Sequence, residues 1–145
     1  MFHLPDPQRQ PQFYDSIPAK RFLAWIIDTV LIVAICALIL PFTAFTGLFF
    51  FPLLIAVTGF VYRVVTLASG SATWGMRFAA IEFRASDGSR FDLGLAVAHT
   101  IGYTVSFSIF PLQIVSIVLM LTGARAQGLT DNLLGTVALN KRALA

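Results

Sequence analysis

The chain has 145 residues, 57% of them hydrophobic and only 12% charged, with ten Lys and Arg against seven Asp and Glu. With a mean hydropathy of +0.81, it carries more apolar surface than a water-soluble core of this size requires, so the excess must face lipid. The basic residues cluster at the edges of apolar runs, which makes the balance a topology signal and excludes a nucleic-acid footprint; one cysteine, Cys36, excludes a disulfide framework and a Cys-based metal site.

Residues 1–19 carry Pro5, Pro7, Pro11 and Pro18 among Gln and Asp, a composition that predicts an extended cytoplasmic arm with no packed core. The membrane domain is expected over residues 20–145. Its first run, 21–40, has 20 residues, about 30 Å of helix at ~1.5 Å per residue, which matches the hydrocarbon thickness. It reaches spanning length behind a polar arm, so it is expected to persist as an anchor and not be cleaved as a signal peptide. An uncharged turn at 41–47 leads to a second span at 48–67, forming a helical hairpin.

From 68 to 92 the chain gains Gly, Ser and six charges. A short interfacial helix is predicted at 74–80, followed by a tight turn at Asp87-Gly88, where Ile81, Glu82, Phe83 and Arg84 alternate apolar and polar. The last apolar run, 93–122, has 30 residues and would overshoot the bilayer as one helix of about 45 Å. Either an interfacial helix at 93–103 precedes one span, or a turn near Phe110-Pro111 splits the run into segments 93–110 and 111–122. Basic residues at Lys20, Arg21, Arg77, Arg84 and Arg90, and again at Arg125, Lys141 and Arg142, favour an even number of crossings with both termini cytoplasmic. The expected class is an all-α, polytopic transmembrane bundle of three to four membrane segments with a short interfacial helix and turn region.

Asp28 lies inside the first span, where a lone carboxylate costs several kcal/mol unless it is paired, protonated or wetted. Arg21, two turns earlier on the same face, and Arg63, near the end of the second span, are candidate partners. A packing lock and a proton or ion relay are both open for this carboxylate. His99, Tyr103, Ser106 and Phe110 form a partly polar stripe at helical spacing, expected to glue helices together by hydrogen bonds. A protonatable His99–Asp28 pair is the alternative, and a single His is a weak metal ligand. No metal site, cofactor site or catalytic constellation is expected.

The stretches RFLAWIIDTVLI at 21–32, GSATWGMRFAAIEFRASDGSRFDLGLA at 70–96 and QGLTDNLLGTVAL at 127–139 together resemble the RDD family of bacterial membrane proteins, named for one Arg and two Asp. The resemblance places the Arg on Arg21 and the two Asp on Asp28 and Asp131. Met76 stands in place of a usual Lys, and Thr130 where a His commonly precedes the second Asp. Asp131 also reads as a helix N-cap before Asn132. With both termini inside, Arg21, Asp28, Arg63 and Asp131 fall in or near one leaflet as a shared polar cluster.

Two functions follow as expectations. In the first, a non-enzymatic inner-membrane accessory or assembly subunit packs against a larger membrane complex, its partners being the bilayer and other subunits or itself. In the second, a homo-oligomeric proton- or cation-linked transporter uses Asp28.

Overall fold

The computed structural model describes residues 4–141, so the cytoplasmic placement expected for Arg142 lies outside the described residues. The chain is a membrane protein built from helices, as its composition demands. Helix α1 runs Ile17–Ile39 and α2 runs Phe51–Gly70; both belong to segments long and apolar enough to cross a bilayer. Two 3₁₀ turns, Leu40–Thr43 and Thr46–Phe50, join them. Pro41 and Pro52 lie in the first turns of the elements they open, where a missing N–H costs nothing.

Short helix α3, Trp74–Phe78, packs across α1. It is capped by Thr73, whose Oγ1 accepts the Met76 N–H at 3.2 Å. The third apolar run is not one helix. It forms α4, Leu93–Ser108, and α5, Phe110–Thr122, whose axes differ by 115°. Ile109 between them is extended (φ −110°, ψ 100°). Pro111 has no N–H with which to continue the α4 ladder onto Phe107, so the helix must end there. The split therefore falls at the Phe110-Pro111 turn, and the interfacial helix over 93–103 followed by one span does not form. Sixteen residues in α4 and thirteen in α5 give about 24 and 20 Å of helix, each short of a bilayer. By length and composition the chain thus has two full-length spans, or three if the bent pair is one span, and the last run forms the two short segments expected at 93–110 and 111–122.

A small antiparallel sheet supplements the helices. Strand β1, Ile81–Arg84, pairs with β2, Val137–Asn140, with Ile81 opposite Asn140 and Arg84 opposite Val137. The alternation at 81–84, expected to belong to a hairpin or tight turn at Asp87-Gly88, forms a strand but not a local hairpin. Its partner lies more than fifty residues away because the Asp87-Gly88 turn leads directly to α4, capped by Asp92 on the Leu95 N–H at 2.8 Å. Helix α6, Leu129–Leu134, precedes β2.

The N-terminal arm is packed, contrary to the expectation of an extended, coreless segment. Pro11 starts a 3₁₀ turn, and Phe13 and Tyr14 bury against Val137 and Leu139 of β2. Asn140 donates to the carbonyls of Gln12 and Asp15, both at 2.8 Å, and accepts from Lys20 Nζ at 2.6 Å. Proline restricts this segment without preventing burial of two aromatic rings. These bonds, with the β1–β2 pairing, bring the start of α1, the end of α2, α3 and α6 to one end of the helical pair.

Candidate functional site

Asp28 sits on α1 where α2 and α3 meet it and is buried. Its Oδ1 accepts from Tyr62 Oη at 2.5 Å and from the Gly75 N–H at 2.9 Å, and its Oδ2 accepts from Thr73 Oγ1 at 2.6 Å. Three donors from two other elements solvate the carboxylate in place of water. Tyr62 Oη in turn accepts the Trp74 N–H at 3.2 Å. A Cβ at Gly75 would lie 2.7 Å from Asp28 Oδ1 and closer still to the Ala24 carbonyl, so only glycine lets α3 approach α1. Gly75→Ala should therefore lower the thermal midpoint of the detergent-solubilised protein by several degrees; an unchanged midpoint would show that α3 does not depend on this approach.

Asp131 is the second carboxylate, fully buried on α6. Arg21 Nη1 meets its Oδ2 at 2.5 Å, and the Gly128 N–H reaches the same oxygen at 3.1 Å. Its Oδ1 receives Thr136 Oγ1 at 2.7 Å and His99 Nε2 at 2.8 Å. Because an ionised carboxylate only accepts, His99 Nε2 carries the proton in this contact. Burial alone would raise the Asp131 carboxyl, and the Arg21 guanidinium and the His99 hydrogen bond more than offset it, holding the group ionised well below the ordinary carboxylate range. Asp131 caps α6 from its third position through Gly128, not as the N-cap before Asn132.

The sequence-predicted residues therefore divide into two carboxylate locks. Arg21 pairs with Asp131 and not with Asp28, and stacks its guanidinium 5.2 Å from the centre of the Phe83 ring. His99 also serves Asp131 and not Asp28, lying beside the stacked rings of Phe83 and Phe91. Asp28 and Arg63 form no ion pair among the described residues, since the three neutral donors already occupy the carboxylate. Arg63 instead lies over the Tyr103 ring, 3.9 Å from its centroid. Tyr103 Oη accepts Trp25 Nε1 at 3.0 Å, and Ser106 Oγ donates to Gln113 Oε1 at 3.0 Å across the α4–α5 bend. Phe110, the fourth member of the stripe, is 73% exposed. Tyr62, Thr73 and Thr136 escaped the sequence reading, since one hydroxyl among many in an apolar chain has no distinguishing pattern.

These residues share one space. A half-open cavity of about 590 Å³ lies between α1 and the α4–α5 bend, and Arg21, Asp28, Arg63, His99, Tyr103, Ser106 and Asp131 all reach its wall. The rest of the wall is mainly apolar, with Phe22, Trp25 and Phe107 toward the lipid side. Its size falls within the range of small-molecule sites, roughly 300 to 1,000 Å³.

The sequence matches the RDD family over residues 17–135, and the protein belongs to that family. No curated protein and no solved structure matches the chain. All three residues for which the family is named have structural work here: Arg21 and Asp131 pair with each other, and Asp28 ties α1 to α2 and α3. Thr130, next to Asp131, lies against Gly102, and His99 from α4 supplies Asp131 with an imidazole.

Proposed function

We propose that the protein is a non-enzymatic accessory or assembly subunit of the bacterial inner membrane, packed against another, larger membrane protein. The observation that carries this reading is the α4–α5 break. Trp25 and Phe107 lie side by side, with ring centroids 6.0 Å apart. From Trp25 to the end of α1 at Ile39 there remain about 21 Å of helix. The break at Ile109, two residues beyond Phe107, is therefore well inside the length of α1. Irregular backbone at that depth is tolerated where protein covers it or where it lines a wet cavity; Ile109 bonds to Val105, Leu112 and Gln113, while Pro111 has no N–H to give the Phe107 carbonyl.

Residues 108–111 are exposed on this chain and do not line the cavity. The surface around them, Phe107, Ile109, Phe110, Ile114 and Val118, is apolar and uncharged, which suits a hydrophobic helix of another subunit. The basic residues toward the opposite end, Lys20, Arg21 and Lys141 among them, support a reading in which that end faces the cytoplasm by the positive-inside rule. A cation or proton pathway through Asp28 has less support, because three donors already fill its coordination.

Native mass measurement after mild-detergent purification should find a hetero-assembly that Phe110→Lys dissociates. Val30→Lys, on the exposed face of α1, should leave it intact. Finding only copies of this chain, or a hetero-assembly insensitive to Phe110→Lys, would overturn the proposal.

A further inference from the structure

The cavity between α1 and the α4–α5 bend contains a cation whose hydrogen bonds are unmade. Arg63 projects from α2 with its Nε buried and without an acceptor, and none of its guanidinium N–H groups has a hydrogen-bond partner among the described residues. Tyr103 covers one face of the guanidinium, but a π face satisfies charge and leaves the in-plane donors free. The two carboxylates nearby are not available to it. Asp28 is filled by Tyr62, Thr73 and Gly75, and Asp131 by Arg21, His99, Thr136 and Gly128.

A guanidinium with a free donor edge, beside carboxylates already filled by other donors, selects a planar or tetrahedral oxyanion, which it can hold by two parallel hydrogen bonds. Beyond Arg63 the wall becomes hydrocarbon-like, with Phe22, Trp25, Phe107, Ile117 and Leu121. Polar groups around Arg63 and an apolar wall running toward the lipid side describe the two ends of one ligand. We propose that this cavity binds an amphiphile with an acidic oxyanion head and an acyl chain, the head on Arg63 and the chain along Trp25 and Phe107. The shared chemistry is that of a fatty acid carboxylate and of a phospholipid phosphodiester.

Trp25 provides a direct reporter, because it lines the cavity and the chain has one other tryptophan, Trp74, which is not among the lining residues. In a Trp74→Phe background in non-ionic detergent, quenching of Trp25 would be titrated with dibromostearate and its methyl ester, and with brominated phosphatidylglycerol and the matching brominated diacylglycerol. We expect saturable quenching by at least one acidic member, roughly tenfold tighter than by its uncharged counterpart, and loss of that preference in Arg63→Gln. Preference within the first pair identifies a carboxylate head, and within the second a phosphodiester. Equal quenching within both pairs, or a preference that survives Arg63→Gln, would overturn the assignment. Should Arg63→Gln fail to fold, the comparison of acid with ester on the Trp74→Phe protein still decides the matter.

Discussion

Replacing Asp131 with Ala should cost about 3–5 kcal/mol of stability, the penalty typical of breaking one side of a buried ion pair. The Arg21–Asp131 contact is 2.5 Å, with the Asp131 side chain fully buried and that of Arg21 17% exposed. Removing the carboxylate strands the guanidinium and the His99 imidazole, and also removes the acceptor for Thr136 and for the Gly128 N–H. Those partners belong to α1, α4 and the two ends of α6, so the defect spreads through the whole end of the bundle. The measurement is the unfolding midpoint in detergent, together with the yield of monodisperse protein. A variant that purifies normally with an unchanged midpoint would show that Asp131 is not a lock. Replacing both Arg21 and Asp131 with Met and Leu should recover part of the loss, since an apolar pair leaves no stranded charge.

For Asp28 the expected losses are graded by which hydrogen bonds a substitution can keep. Asp28→Leu leaves the Tyr62 hydroxyl, the Thr73 hydroxyl and the Gly75 N–H without an acceptor. Hydrogen bonds to a charged group contribute about 1.5–3 kcal/mol each, and the three share one carboxylate, so a total near 3–4 kcal/mol is expected. Asp28→Asn keeps an oxygen for Tyr62 and Gly75, but turns an NH₂ toward Thr73, so the Thr73 hydroxyl proton that Oδ2 accepts loses its partner. That conflict should cost about 1–2 kcal/mol. The midpoints should therefore order as wild type, then Asn, then Leu. Asn as damaging as Leu, in a protein that still folds, would mean that the negative charge itself is needed and would return Asp28 to the ion-relay reading.

Much of this was legible from sequence because two physical signals are strong in it. Apolar runs of spanning length reveal α1 and α2 directly, and Pro111 marks the place where the third run must break. The alternation at 81–84 was visible as a hairpin or turn signal, but its pairing with 137–140 was not, since strand partners fifty residues apart leave no local trace. The pairing of charges was the least legible part. Along a single helix Arg21 and Asp28 look like partners, yet Arg21 reaches across to α6, and Asp28 is satisfied by neutral donors. Sequence spacing reports which residues share a helical face, while a buried charge is matched by whatever the neighbouring elements bring to it. The same limit hid the His99–Asp131 contact, in which the two residues are 32 positions apart.

The Arg21–Asp131 pair also imposes an order on biosynthesis. The two residues are 110 positions apart, so at ribosomal speeds of ~5–20 residues per second the guanidinium is made roughly 5 to 20 s before its counter-ion. Once α1, complete only at Ile39, enters the bilayer, and until Asp131 follows, the long Arg21 side chain must reach back to water and the lipid headgroups for its hydration. The depth of the first helix is thus set by phospholipid while the nascent chain grows, and handed over to protein only when α6 arrives and β2 closes against β1.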